Sequence, residues 1–281
     1  MKKVIFLACI LAMAACGPAK KTEQEKAKTS LEIRGLRGAV RSVLTSTVTY
    51  DYEQDEMGTP RKGSELMESF DSRGMLTESV ETRENGDYEY RMAAKYDADN
   101  HLTELTTTTA DRVHKIVYEY KDGKPVSQKF YDGEGTYSGG GTTEIVSPEV
   151  ENYIFHDKDG RKAGLCVKTY TSPTDYTMEN IVYDDNGGEA SRTIQTYSGD
   201  LLLETKETVA GADGQAREIV TKHTYDDSGK ITGTVTTGNG ETTENIYMKY
   251  QYDDLGNWYQ QFIFDAATDR LLSVVDRDIR F

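Results

Sequence analysis

The chain predicts an all-β fold, an antiparallel meander of repeated β-hairpins forming an open or curled sheet. Three observations lead there. Seven times an aromatic residue runs into an acidic turn that usually ends in glycine. Between the turns, apolar and polar residues alternate with the period of two that places successive side chains on opposite faces of a strand. Beyond the first fifteen residues, no window of about 12 residues carries the apolar stripe of an amphipathic helix. Internal periodicity of this kind marks a repeat architecture.

The chain opens on an export signal. Lys2 and Lys3 form a positive start, Val4 to Ala12 is a short apolar run, and Met13-Ala14-Ala15 places small residues before Cys16. The run is too short to remain in a bilayer as a helix, which needs about 20 apolar residues. Met13-Ala14-Ala15-Cys16 resembles the lipobox of bacterial lipoprotein precursors. The resemblance implies that residues 1–15 are removed and that Cys16 is the lipid-attachment residue. Ala12-Met13-Ala14 also fits ordinary secretory cleavage, which would release a soluble protein. Cys9 has too little apolar sequence before it to compete. Residues 16–30 then read as a charged tether with a random-coil reach of about 20 Å. The folded domain is expected over residues 31–281, with a possible sub-boundary near 133–148, where Gly139-Gly140-Gly141 suggests a flexible connection.

The seven turns follow in order. They are Phe70-Asp71-Ser72-Arg73-Gly74, Tyr96-Asp97-Ala98-Asp99-Asn100, Tyr120-Lys121-Asp122-Gly123 and Phe155-His156-Asp157-Lys158-Asp159-Gly160. Tyr183-Asp184-Asp185-Asn186-Gly187, Tyr225-Asp226-Asp227-Ser228-Gly229 and Tyr252-Asp253-Asp254-Leu255-Gly256 complete the set. Asp accepts hydrogen bonds from backbone N–H groups just ahead of it, and Gly or Asn tolerates the left-handed conformation that closes such a turn. The longer interval from Tyr183 to Tyr225 leaves room for an extra hairpin near Gly211-Ala212-Asp213-Gly214. Asn85-Gly86 and Asn239-Gly240 mark tight hairpins. An unpaired edge strand is expected at each end of the sheet.

The segment Tyr252-Asp253-Asp254-Leu255-Gly256-Asn257-Trp258, with the ending Arg277-Asp278-Ile279-Arg280-Phe281, resembles the closing part of YD-repeat lipoproteins of the Bacteroidales type, distant relatives of the Rhs repeats. Leu36-Arg37-Gly38-Ala39-Val40-Arg41-Ser42-Val43 resembles their first strand. The likeness spans roughly residues 31–281. Tyr120-Lys121 and Asn100 depart from the pattern. The resemblance implies a β-hairpin array and no enzymatic activity.

Composition narrows the function. With 48 acidic and 33 basic residues the net charge is −15, which argues against nucleic acid and against electrostatic docking on anionic lipid. Once Cys9 and Cys16 are accounted for, Cys166 alone remains, flanked by Leu165 and Val167, and reads as a buried inert thiol. His101, His114, His156 and His223 lack metal-ligand spacing, and His223 reads as core-facing. Asp97-Ala98-Asp99 and Asp157-Lys158-Asp159-Gly160 echo a calcium loop without its downstream glutamate, so turn chemistry accounts for them. Gly-x-Ser-x-Gly is absent and the glycine run lacks the lysine of a phosphate loop.

No catalytic, cofactor or metal residue is therefore assigned. Nineteen tyrosines are the remaining feature; most fall at core-facing strand positions, while Tyr259 should point outward. The expectation is a monomeric, non-enzymatic envelope lipoprotein, anchored to the outer membrane through Cys16, that binds a glycan or an envelope protein. A purely structural spacer or assembly subunit is the alternative, with a hydrolase third. Gly17 after Cys16 fits outer-membrane sorting, and Lys20-Lys21 leaves open which side of that membrane the domain faces.

Overall fold

The computed structural model describes residues 28–53, 56–210 and 216–281. After one helical turn, α1 (Ser30–Ile33), the chain runs through strands. β1 (Ser42–Thr49) precedes a small separate hairpin of β2 (Tyr52–Glu53) and β3 (Glu56–Met57). Next come β4 (Arg61–Phe70), β5 (Leu76–Thr82), β6 (Tyr88–Tyr96), β7 (Leu102–Thr109), β8 (Val113–Lys121) and β9 (Lys124–Asp132). The middle of the chain forms β10 (Tyr137–Ser147), β11 (Val150–Asp157), β12 (Lys162–Tyr170), β13 (Asp175–Tyr183) and β14 (Glu189–Ser198). It ends with β15 (Leu201–Ala210), β16 (Ala216–Tyr225), β17 (Ile231–Gly238), β18 (Glu241–Tyr252), β19 (Trp258–Asp265) and β20 (Leu271–Arg280).

The hairpin meander is as expected, but the sheet is neither open nor curled. Eighteen strands form one antiparallel sheet in which β1 sits between β20 and β4 and β9 pairs with β10, so neither end of the sheet is left free. The closing element is β1, which pairs with β20 from Ser42 opposite Arg280 to Thr49 opposite Ser273, and with β4 from Ser42 opposite Ser69 to Thr49 opposite Arg61. Neither expected edge strand exists, and the backbone groups an edge would leave bare are paired. Alternation along a strand reports which face is buried. It does not report which distant strand lies alongside, so closure was not written in the periodicity.

The chain folds as two compact units. The central unit is Ile116–Glu244; the terminal unit joins Lys26–Lys115 to Asn245–Phe281.

In the terminal unit the N-terminal segment forms the core. Thr29 caps α1 with its hydroxyl on the Glu32 N–H, and Glu32 returns a bond to the Thr29 N–H. Leu31, Leu36 and Val40 then pack against Val43, Phe70 and Leu76, each burial contributing about 1.5–3 kcal/mol. The expected first strand at residues 36–43 is therefore a packed connection, and β1 starts only at Ser42. Gly35 (φ 61°) and Gly38 (φ 90°) bend the chain into left-handed backbone that a strand cannot contain.

Polar bonds fix the same segment to the repeat turns. The Leu31 N–H donates to the Gly74 carbonyl at 3.1 Å, and the Leu76 N–H donates to Ser30 Oγ at 2.9 Å. Asn257, fully buried, accepts from the Arg37 N–H at 2.6 Å and donates to the Arg37 carbonyl at 3.2 Å. It acts toward Arg37 as a neighbouring strand residue would.

The acidic turns are built alike. Asp71 Oδ1 accepts from the Arg73 and Met75 N–H groups at 2.9 and 3.0 Å; Asp157, Asp184, Asp226 and Asp253 repeat the pair two and four residues on. Asp132 does the same for Glu134 and Thr136. This additional turn, Tyr131-Asp132-Gly133-Glu134-Gly135, has the repeat spelling and lay hidden in the glycine-rich stretch. The stretch is no flexible connection: residues 137–147 are β10, paired with β9 and β11. Its glycines are close contacts, since a Cβ on Gly141 would lie 3.0 Å from the Phe155 ring.

In the central unit the Asp132, Asp157 and Asp184 turns join β9 to β10, β11 to β12 and β13 to β14, so they share one end of the strands. Three strands rather than two separate Asp184 from Asp226, which moves the next turn to the opposite end. Residues 211–215, where an extra hairpin was expected, lie outside the described residues.

Candidate functional site

The polar feature that stands apart is a buried patch on one face of β11 to β14 in the central unit. Period-two alternation and the strand register assemble it in three rows. Tyr170, Tyr176 and Tyr197 lie opposite one another in the first, and Glu151, Lys168, Met178 and Gln195 in the second. Tyr153, Cys166, Asn180 and Thr193 form the third. Lys168 is 1% exposed, Asn180 3% and Glu151 7%, which is unusual for these residue types without partners.

Tyrosine rings hold the lysine. Its Nζ lies 4.1 Å from the Tyr176 ring centroid and 4.8 Å from that of Tyr170, a desolvated cation–π arrangement that contributes about 2 kcal/mol. Tyr176 stacks on Tyr197 with centroids 4.7 Å apart and interplanar angle 12°. The Tyr153 hydroxyl donates to Glu151 Oε2 at 3.0 Å. Burial, with Tyr197 and Asp200 nearby, pushes the Tyr176 phenol up to about 12. Cys166, fully buried as expected, is also pushed to about 12 by burial that outweighs the nearby Lys168, so it is an inert thiol. The alternation Gly164, Cys166, Lys168, Tyr170 held the signal for this patch: a lysine in the buried phase of an otherwise apolar strand. Sequence reasoning passed over it.

The turn carboxylates are occupied by their own backbone. Asp97, Asp99 and His101 bring ligand atoms together, yet Asp97 Oδ1 accepts from the Asp99 and His101 N–H groups, and its Oδ2 lies 3.0 Å from His101 Nδ1. Burial opposes ionisation of Asp97, but these bonds and the His101 ring outweigh it and hold the acid below its ordinary range. Asp71, Asp157, Asp226 and Asp253 shift in the same direction through their turn N–H groups. His223 is half-buried with Nδ1 3.0 Å from Thr234 Oγ1, and burial lowers its pKa. The structure thus leaves these predicted residues scattered over the two units.

Tyr259 is 40% exposed, as expected, and donates to Gln251 Oε1. Beside it in the terminal unit, the Arg277 guanidinium lies 3.5 Å from the Trp258 ring centroid, and burial lowers its pKa to about 10. Cys16 lies outside the described residues.

The second face of the strands is charged. In the terminal unit Lys95 and Lys115 both reach Glu104, and Arg91 pairs with Glu78. In the central unit Lys129 pairs with Glu119, Arg192 with Glu179, Lys206 with Glu218 and Lys222 with Glu204. No helix among the described residues is long and apolar enough to cross a membrane.

No family model matches the chain, and no curated protein matches it. Among solved structures it is similar to a porin-like protein from Bacteroides uniformis, at 12% identity and TM-score 0.43, covering 86% of this chain and 96% of that one. A porin-like protein from Bacteroides vulgatus matches at 13% identity and TM-score 0.37, covering 86% and 98%.

Proposed function

We propose that the chain is a non-enzymatic cell-envelope lipoprotein, anchored to the outer membrane by lipid on Cys16, whose β-repeat surface binds a glycan or protein partner. The observation that carries this reading is the ladder of cross-strand ion pairs. A membrane-spanning barrel needs an apolar outward band, and a charged side chain there costs about 2–4 kcal/mol at the bilayer midplane. Strands bearing Lys95–Glu104, Lys129–Glu119 and Lys222–Glu204 pairs stand in water. Attachment to a membrane then falls to the lipobox cysteine. Closure of the sheet, which removes free edges, supports a monomer.

Cell fractionation tests the anchor. The wild-type chain should sediment with membranes and Cys16→Ala should move to the soluble envelope fraction; Cys16→Ala remaining in membranes overturns the reading. Protease treatment of intact cells then reports which face the domain occupies.

A further inference from the structure

We propose that the end of the terminal unit from which the chain runs back toward Cys16 docks on the lipid surface, with Ile33, Leu255 and Phe281 entering the headgroup region. This deepens the envelope reading above and rests on the lipid anchor at Cys16.

The first ground is where apolar side chains stand. The N-terminal segment turns Leu31, Leu36 and Val40 onto the core. It leaves Ile33 outside, at 62% the most exposed large apolar residue among the described residues. Phe281, 51% exposed, and Leu255, 48% exposed, close on the same segment. A Cβ on Gly38 would lie 2.9 Å from the Phe281 ring and 3.3 Å from Leu255 Cδ1. Single apolar residues on a surface need no explanation, but several brought to one end of a unit mark a contact surface. Register confirms the shared end. Ser42 lies opposite Arg280 and Ser69, and Gln260 lies opposite Asp276. The start of β1, the end of β20 and the turns after β4 and β18 therefore stand together.

The second ground is the length of chain to the anchor. Leu31 is bonded to Gly74 in the turn after β4, so Lys28 lies at this same end. From Cys16 to Lys28 the chain spans at most about 40 Å when fully extended, and about 20 Å as a random coil. The opposite end of the strands is about 30 Å further away. Lipid on Cys16 thus holds this end nearest the bilayer, where a short link makes even a weak second contact effective.

The third ground is charge. Arg34 pairs with Glu68 and Arg280 with Asp278, so these basic groups are already engaged. The contact is apolar rather than electrostatic, in keeping with a net charge of −15.

The test is electron paramagnetic resonance on the mature, lipidated full-length protein in phosphatidylcholine vesicles, with a nitroxide on Leu255→Cys. Cys166 is fully buried and Cys16 carries the lipid, so the label has one thiol to take. A nitroxide on Glu84→Cys, in the turn at the opposite end of the unit, is the reference. The Leu255 label should collide more with oxygen and less with a water-soluble nickel chelate than the Glu84 label. Ile33→Asp with Phe281→Asp should return it to the reference values. Near-ultraviolet circular dichroism confirms folding, and Ile33→Asp alone carries the test if the pair does not fold. An intact mass without acyl chains overturns the anchor and the docking together. Acylated protein whose Leu255 label stays as wet as the reference overturns the docking and leaves the anchor standing. Spin–spin broadening means that a second copy covers this end, which overturns the lipid assignment. Contact that appears only when phosphatidylglycerol is added overturns its apolar character.

Discussion

Both units bury apolar and polar side chains, but they hold the polar ones in different ways. In the terminal unit, Leu31, Leu36 and Val40 lie on Val43, Phe70 and Leu76, and the polar groups around them are satisfied by turn backbone and by Asn257. In the central unit the buried face holds Lys168, Glu151 and Asn180 among tyrosines. An apolar core gains stability from every side chain it removes from water. A polar one roughly breaks even and serves instead to fix geometry or recognise a ligand. The N-terminal segment thus locks an apolar cluster in the terminal unit, whereas the β11 to β14 face of the central unit sets a buried lysine among tyrosine rings.

The largest expected effect is in the terminal unit. Phe70→Ala removes a buried ring from the cluster under α1 and should cost about 3–5 kcal/mol, read as a lower urea midpoint. Amide exchange at Leu31 and Leu76 should accelerate with it. A loss below about 1 kcal/mol would mean that the N-terminal segment is not the core it looks to be.

A smaller but more diagnostic effect belongs to the central unit. Lys168→Met leaves Glu151 buried opposite an apolar group and should cost about 3 kcal/mol. Adding Glu151→Leu should recover most of that loss, because both charges are then gone. If the double variant is as unstable as the sum of the singles, the two charges are not coupled and the contrast between the units weakens.

The smallest effect is a pH dependence. Asp71, Asp97 and Asp253 have folded pKa values below the model-peptide range, so their contribution is complete above about pH 4 and is lost as pH falls through the folded values. These groups lie near the surface, and solvent screening keeps each contribution small. Stability should fall as pH drops below about 4. Asp71→Asn with Asp253→Asn should flatten that limb while keeping the turns, since Asn retains an acceptor oxygen. An unchanged acid limb would show that other carboxylates control it.

Much of this was legible in the residues. Turn positions followed from Asp and Gly spelling because a side-chain acceptor and a left-handed residue act within five residues. Cys166 was placed correctly because alternation reported its burial, whereas His223, expected to face the core in phase with Ile219, is only half-buried and Ile219 is exposed. The Asp132 turn was legible too, and was obscured only because glycine serves both flexible links and tight packing; Phe155, on the next strand, decides which. The role of residues 36–40 was hidden for a different reason. Apolar residues in a run look alike whether they pair as a strand or pack as a loop, and Gly35 and Gly38 settle it only through their backbone angles.

By itself, the sequence determined the all-β class, the repeated hairpins and the chemistry of the turns, because each rests on neighbours within a few residues. The tertiary structure alone decided that β1 closes the sheet between β20 and β4, that Asn257 holds Arg37, and that Lys168, Glu151 and two amides meet on one buried face. Those depend on register between strands, and register is set by the sum of many weak cross-strand contacts rather than by any local motif.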